Sequence, residues 1–185
     1  MIFTWIYWIC VWLGLSGLVY LVSKEIIRST NEKEKYRSNI LKKYDSVKID
    51  NTLKKSGYAI LTFTINRKKY NFLLDTGSAV NMIDTSALHR IVESGYELLP
   101  PDESYFISGI DGNTKKTESY SLGIRYGKNA FRDSFVVKDL SAIFGTIYDQ
   151  TGYKIDGLLG MPFFDNNQWI FDFEQNVIWI KSSQK

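Results

Sequence analysis

At 185 residues the chain has room for one ordinary domain and an appendage. With 44% hydrophobic and 15% aromatic residues it can bury a core, which excludes a disordered chain. Its net charge is only +3, and from residue 46 onward sixteen basic residues balance sixteen acids. Nucleic-acid binding needs a basic face, and the body of this chain lacks the surplus to make one.

The first element is the run IFTWIYWICVWLGLSGLVYLV, residues 2–22, with no charged side chain in 21 residues. As a helix it is about 30 Å long, the hydrocarbon thickness of a bilayer. Trp5, Tyr7, Trp8 and Trp12 gather toward one end and Tyr20 marks the other, as interfacial aromatics do. No basic residue precedes the run and no small-x-small site follows it, so an uncleaved anchor over 1–23 is expected rather than a signal peptide. Residues 24–45 hold seven Lys/Arg against four Asp/Glu, with spaced apolars, and predict a charged helical stalk. The positive-inside bias then expects the following domain on the cytoplasmic side of a single-pass membrane protein.

From Ser46 the hydrophobic period changes to two. YAILTFTI (58–65) predicts a strand, NRKK a turn and YNFLL (70–74) a second strand paired with the first. Asp84 is expected to cap a short helix, TSALHRIVESG, which Gly95 ends. Further strands are expected at SVKID (46–50), SYFIS (104–108), TESYSLGIRYG (117–127), AFRDSFVVK (130–138), WIFDF (169–173) and VIWIK (177–181). Residues 46–185 therefore predict a compact all-β domain with one or two short helices. Asp156 and Asp111 read as turn residues, Trp169 and Trp179 as core or sheet residues, and His89 as an exposed helix residue.

The chemistry points to one carboxylate. In LLDTGSAVNMID (73–84) a hydrophobic strand runs into Asp75 and a Thr-Gly-Ser turn, which places an acid near the core and within reach of a ligand. With one histidine, His89, read as an exposed helix residue, and one cysteine, Cys10, inside the apolar run, neither a Ser-His or Cys-His triad nor a His-rich metal site is expected, and no intrachain disulfide can form. No cofactor and no metal is implied.

LLDTGSAVNMI, the glycine hairpin YFISGIDGNTKKTESY (105–120) and IDGLLGMPFF (155–164), in that order, resemble the retropepsin-type aspartic proteases. These are the single-lobed enzymes of retroviruses and retrotransposons and their cellular and bacterial relatives. The resemblance covers about residues 57–181. It implies a closed, barrel-like lobe, with Asp75 as the catalytic aspartate. It implies that the Thr76 hydroxyl braces the two active-site loops against each other. It implies that Gly77 lets the chain turn closely beneath the carboxylates, and that the Ser78 hydroxyl donates to the carboxylate. Gly109, Ile110, Asp111 and Gly112 match the tip of the flap over substrate, with Asp111 a departure from the family's more apolar tips. The stretch 138–154 is longer than in the compact viral enzymes.

Aspartic protease chemistry needs two carboxylates about 3 Å apart. The chain holds no second Asp-Thr-Gly: Asp84-Thr85-Ser86 lacks the glycine. The partner is therefore expected to be Asp75 of another copy, in a C2 homodimer acting on a protein or peptide substrate. The alternative is a protease-like fold used only as a dimerisation or peptide-binding module, with cleavage weak or lost.

Overall fold

The computed structural model describes residues 2–49, 57–99, 104–108 and 114–181, with side chains described for residues 20, 22–49, 57–99 and 117–181. The flap-tip residues Gly109, Ile110, Asp111 and Gly112 lie outside them. The chain divides into two compact units, residues 1–44 and 45–185.

The first unit is one helix, α1 (Ile2–Leu41), so the stalk is helical and continuous with the apolar run. Among the described residues no helix is long and apolar enough to cross a membrane. Of the expected anchor, only Tyr20, Val22 and Ser23 have side chains within those residues.

The second unit is mostly β. The expected first hairpin is β2 (Ile60–Ile65) against β3 (Lys68–Leu74), in register from Ile60↔Leu73 to Ile65↔Lys68. Its two-residue turn, Asn66-Arg67, takes positive φ at both positions (44° and 66°), which matches the right-handed twist of the flanking strands. The short β4 (Met82–Asp84) leads into α2 (Thr85–Glu93). Asp84 caps this helix as expected, accepting from the Ser86 N–H at 3.0 Å, and Gly95 follows its end with φ +84°.

Next come β5 (Ser104–Ser108) and β6 (Thr114–Tyr126), the two arms of the predicted glycine hairpin, then β7 (Asn129–Lys138). Helix α3 (Ser141–Thr151), β8 (Gly157–Leu159), α4 (Met161–Asn166), β9 (Ile170–Asp172) and β10 (Val177–Lys181) complete the order. Strand β1 (Tyr44–Lys48) joins β10 and β9 in a separate three-stranded sheet.

The main sheet runs β2-β3-β8-β4-β7-β6, and a β2–β6 pairing at Thr64↔Arg125 closes it into a six-stranded ring, with β5 added beyond β6. The expected all-β lobe is thus found as a small closed barrel with a few short helices. Leu61, Phe63 and Ile65 point inward as the alternation predicts. There Phe63 meets Phe72 edge-on at 5.5 Å, Phe163 at 6.3 Å and Trp169 at 6.4 Å. Trp169 is a core residue, and His89 is exposed, as expected.

Two features depart from the sequence reading. Ile60, on the outward face of β2, is buried, because α3 covers that face. Residues 141–151, which carried no predicted element, form α3 by packing Phe144 and Ile147 against Ile60, Leu140 and Ile155.

Phe63 is fully buried at the centre of the aromatic cluster. Phe63→Ala is expected to destabilise the chain by about 3–5 kcal/mol, read as an earlier urea midpoint.

Candidate active site

Strand β8 is wedged between β3 and β4. It runs parallel to β3 (Leu73↔Leu158) and antiparallel to β4 (Met82↔Leu158). The Asp75 turn leaves the end of β3 and must pass over the end of β8 to reach β4. Glycine makes both crossings possible. A Cβ on Gly157 would come within 2.7 Å of the Met82 carbonyl oxygen. A Cβ on Gly160 would collide with the Val80 carbonyl and come within 2.8 Å of that of Ser78.

The crossing is fastened by hydrogen bonds. The Asp75 N–H donates to the Leu159 carbonyl at 2.9 Å, and the Met161 N–H donates to the Ser78 carbonyl at 2.9 Å. The Asn81 side chain spans the gap: its Oδ1 accepts from the Gly160 N–H at 3.0 Å and its Nδ2 donates to the Ser134 carbonyl at 3.1 Å. Asn81 is buried, so these bonds replace the water it gave up. Its place in the Asp-Thr-Gly-Ser-x-x-Asn pattern was the available signal, but the sequence reading gave it no role.

Asp75 is half-buried and Oδ1 accepts from the Gly77 N–H at 2.9 Å, so the turn itself orients the carboxylate. Gly77 is needed for space rather than for backbone freedom. It is not among the glycines with positive φ, but a Cβ there would press to 3.2 Å from Asp75 Oδ1. Thr76 is exposed in the single chain, where the expected brace to a second loop has nothing to meet. The expected donation from Ser78 to the carboxylate is not made: its hydroxyl donates instead to the Val80 carbonyl at 2.8 Å. The turn brings that oxygen, two residues on, within easy reach, and short polar side chains favour such local partners.

Asp156 is a correction to the turn reading. It is only 5% exposed. Its Oδ2 accepts from the Asn71 N–H on β3 at 2.8 Å, and its Oδ1 pairs with the Arg90 guanidinium on α2. Its own N–H donates to the Asn71 carbonyl at 2.8 Å, and its carbonyl accepts from the Asp84 N–H at 3.0 Å. One residue at the start of β8 therefore ties together β3, β4 and α2. Asp84 does similar work: beyond capping α2, its Oδ1 accepts from the Leu140 N–H at 2.9 Å, at the start of α3.

Burial raises the pKa of Asp156 above its ordinary 3.8, outweighing the Asn71 hydrogen bond and the Arg90 charge, which act in the opposite direction. A raised folded-state pKa means the group favours folding most below 3.8 and loses that contribution as pH rises through the raised value. Arg90→Met strips the buried carboxylate of its cation. At pH 7 it is expected to cost about 3 kcal/mol, the low end for a buried pair because Arg90 is partly exposed. The loss should shrink as pH falls and the carboxyl is neutralised, and vanish in large part in Arg90→Met/Asp156→Asn. Urea midpoints of the wild type and the two variants across roughly pH 4–8, the range over which carboxyls and their shifted forms titrate, measure this.

No curated protein matches the chain in sequence. Among solved structures, similar ones include EIAV protease complexed with the inhibitor HBY-793, at 18% identity and TM-score 0.44, over 59% of this chain and 86% of that one. A retropepsin-like aspartic protease from Rickettsia conorii is 16% identical, with TM-score 0.43, over 74% and 88% of the two chains. The retroviral protease-like domain of Ddi1 from Leishmania major is 12% identical, with TM-score 0.42, over 65% and 83%. The sequence profile described as Aspartyl protease matches residues 61–163, from β2 through the Asp75 turn to α4. That match spans more than half of the chain and contains every hydrogen bond that positions Asp75, and the chain belongs to the aspartyl protease family.

Proposed function

We propose that the protein is a membrane-anchored aspartic endopeptidase, active as a homodimer whose two Asp75 carboxylates share one site. The observation that carries this reading is the Asp75 turn: a half-buried carboxylate, oriented by the Gly77 N–H and fastened to β8 through the Leu159 carbonyl. One copy supplies only one such carboxylate, and the chemistry requires two.

In the dimer the two acids hold a water between them and share one proton. The ionised carboxylate takes a proton from the water while the protonated one gives its proton to the scissile carbonyl oxygen. The water oxygen bonds to the carbonyl carbon. Collapse of the tetrahedral intermediate then breaks the C–N bond: the leaving nitrogen takes a proton from one carboxyl, while a hydroxyl of the gem-diol returns its proton to the other carboxylate. The products are a carboxylic acid and an amine, and the pair returns to its starting state. Thr76 braces the two turns, Gly77 leaves room for the carboxylate, and Ser78 secures the turn through Val80. Substrate lies as an extended peptide beneath the hairpin of β5 and β6, held by backbone hydrogen bonds with alternate side chains in pockets. Gly109, Ile110, Asp111 and Gly112 form the tip that closes over it.

Residues 2–22 anchor the chain in the membrane, and the basic excess of residues 24–45 places the protease domain on the cytoplasmic side. Confinement to a plane raises the effective concentration of one copy for another. A reporter active only in the cytoplasm, fused after Lys185, should be active; an inactive fusion reverses the orientation.

Asp75→Asn is expected to lower cleavage of a diverse peptide pool by about 10²–10⁴-fold or more, the contribution of general acid–base catalysis. Fold and oligomeric state should be unchanged. Equal cleavage by both proteins would refute the assignment of Asp75. A dimeric wild type that cleaves nothing would favour the binding-module reading.

A further inference from the structure

The stalk carries a seam for a second copy of this chain. Val22, Ile26, Ser29, Lys33, Tyr36 and Ile40 on α1 follow alternating steps of four and three residues, the spacing of one face in a coiled coil. Four of the six are apolar, and all four are exposed in the single chain: Val22 by 52%, Ile26 by 60%, Tyr36 by 71% and Ile40 by 37%. The opposite face carries Lys24, Arg28, Asn31, Lys35 and Ser38, with Ile27 beside them as an exposed apolar residue. Upstream, the run 2–22 is apolar in every register, so only the charged half of the helix discriminates one face from another.

We infer that residues 22–40 pair in parallel with the same residues of a second copy, as a two-stranded coiled coil. This rests on the homodimeric protease reading and names the surface that brings its two halves together. Three observations select that occupant. Ile26 and Ile40 fall at the first core position of the heptad, where β-branched residues favour two strands. Glu32 flanks the seam on one side and Arg37 on the other, five residues apart. In a parallel pair, Glu32 of each copy therefore faces Arg37 of the second copy. Lys33 is the one polar residue among the first core positions 26, 33 and 40, where a lone polar side chain fixes register and strand number at some expense of stability. A parallel pair also delivers both catalytic domains at the same end, as a shared site requires.

Single-cysteine variants of the full chain, in a Cys10→Ser background and reconstituted in phosphatidylcholine vesicles, test this by oxidative cross-linking. Disulfides need Cα atoms within about 7 Å, a limit that only seam positions meet in a two-stranded coil. Tyr36→Cys and Ile40→Cys are expected to cross-link several-fold faster than Lys35→Cys and Ser38→Cys. In the Tyr36→Cys protein, adding Glu32→Lys should slow cross-linking, and adding Arg37→Glu as well should restore it. Equal rates at all four positions would overturn the seam. So would absence of seam cross-links in a chain that sediments as a dimer and cleaves peptide, which would leave the protease reading intact. Seam cross-links in a chain that cleaves nothing would support the seam and count against the protease.

Discussion

The site depends on a strand three residues long. β8 can lie between β3 and β4 only because Gly157 and Gly160 present no side chain to the backbone that crosses them. That crossing turns a local Asp-Thr-Gly turn into a fixed carboxylate. The Leu159 carbonyl holds the Asp75 N–H, and the Ser78 carbonyl holds the Met161 N–H. A turn on the surface of a two-stranded hairpin would have neither restraint. Here the acid is placed by backbone bonds to a strand that arrives more than eighty residues later in the chain.

Polar side chains then hold the crossing in one register. Asn81, Asp84 and Asp156 are all buried, and each bonds backbone groups on elements far apart in sequence. Apolar residues could fill the same space, but they would not fix which carbonyl meets which N–H. The Asp156–Arg90 pair illustrates the balance: burial disfavours the charged carboxylate, while the guanidinium and the Asn71 N–H favour it. Such a group adds more to uniqueness than to net stability. It also links α2 to β8, so a helix remote from the Asp75 turn helps to set the strand beneath it.

The same logic bears on the proposed pairing of two copies. The closed ring of six strands is satisfied by its own hydrogen bonds and its own aromatic core. Thr76 is exposed and Asp75 half-buried at the surface of the single chain. The exposed apolar seam of α1 is a second unfinished surface. Both are the kind of surface that a two-fold axis through a second copy would complete.

Much of this was legible in the amino-acid order. Period-two alternation marked β2, β3, β5, β6, β7 and β10, because those strands are long enough to show a period. Asp84 and Gly95 bounded α2 because capping is local chemistry. The Asp75 turn was legible because its residues follow one another. The rest was not. β4 and β8 are three residues each, too short to show any period, and α3 is held by Ile60 and Ile155 rather than by its own pattern. The turn reading of Asp156 failed because its partners, Asn71 and Arg90, lie 85 and 66 residues away. The Ser78 hydroxyl donates to the Val80 carbonyl because the loop brings that oxygen within reach, which depends on how the turn is folded. The sequence by itself determined the longer strands, the capped helix α2 and the Asp-Thr-Gly-Ser turn that presents Asp75, since each depends on neighbours along the chain. Only the tertiary structure decided what holds that carboxylate in place, since contacts across the barrel depend on where distant segments come to lie.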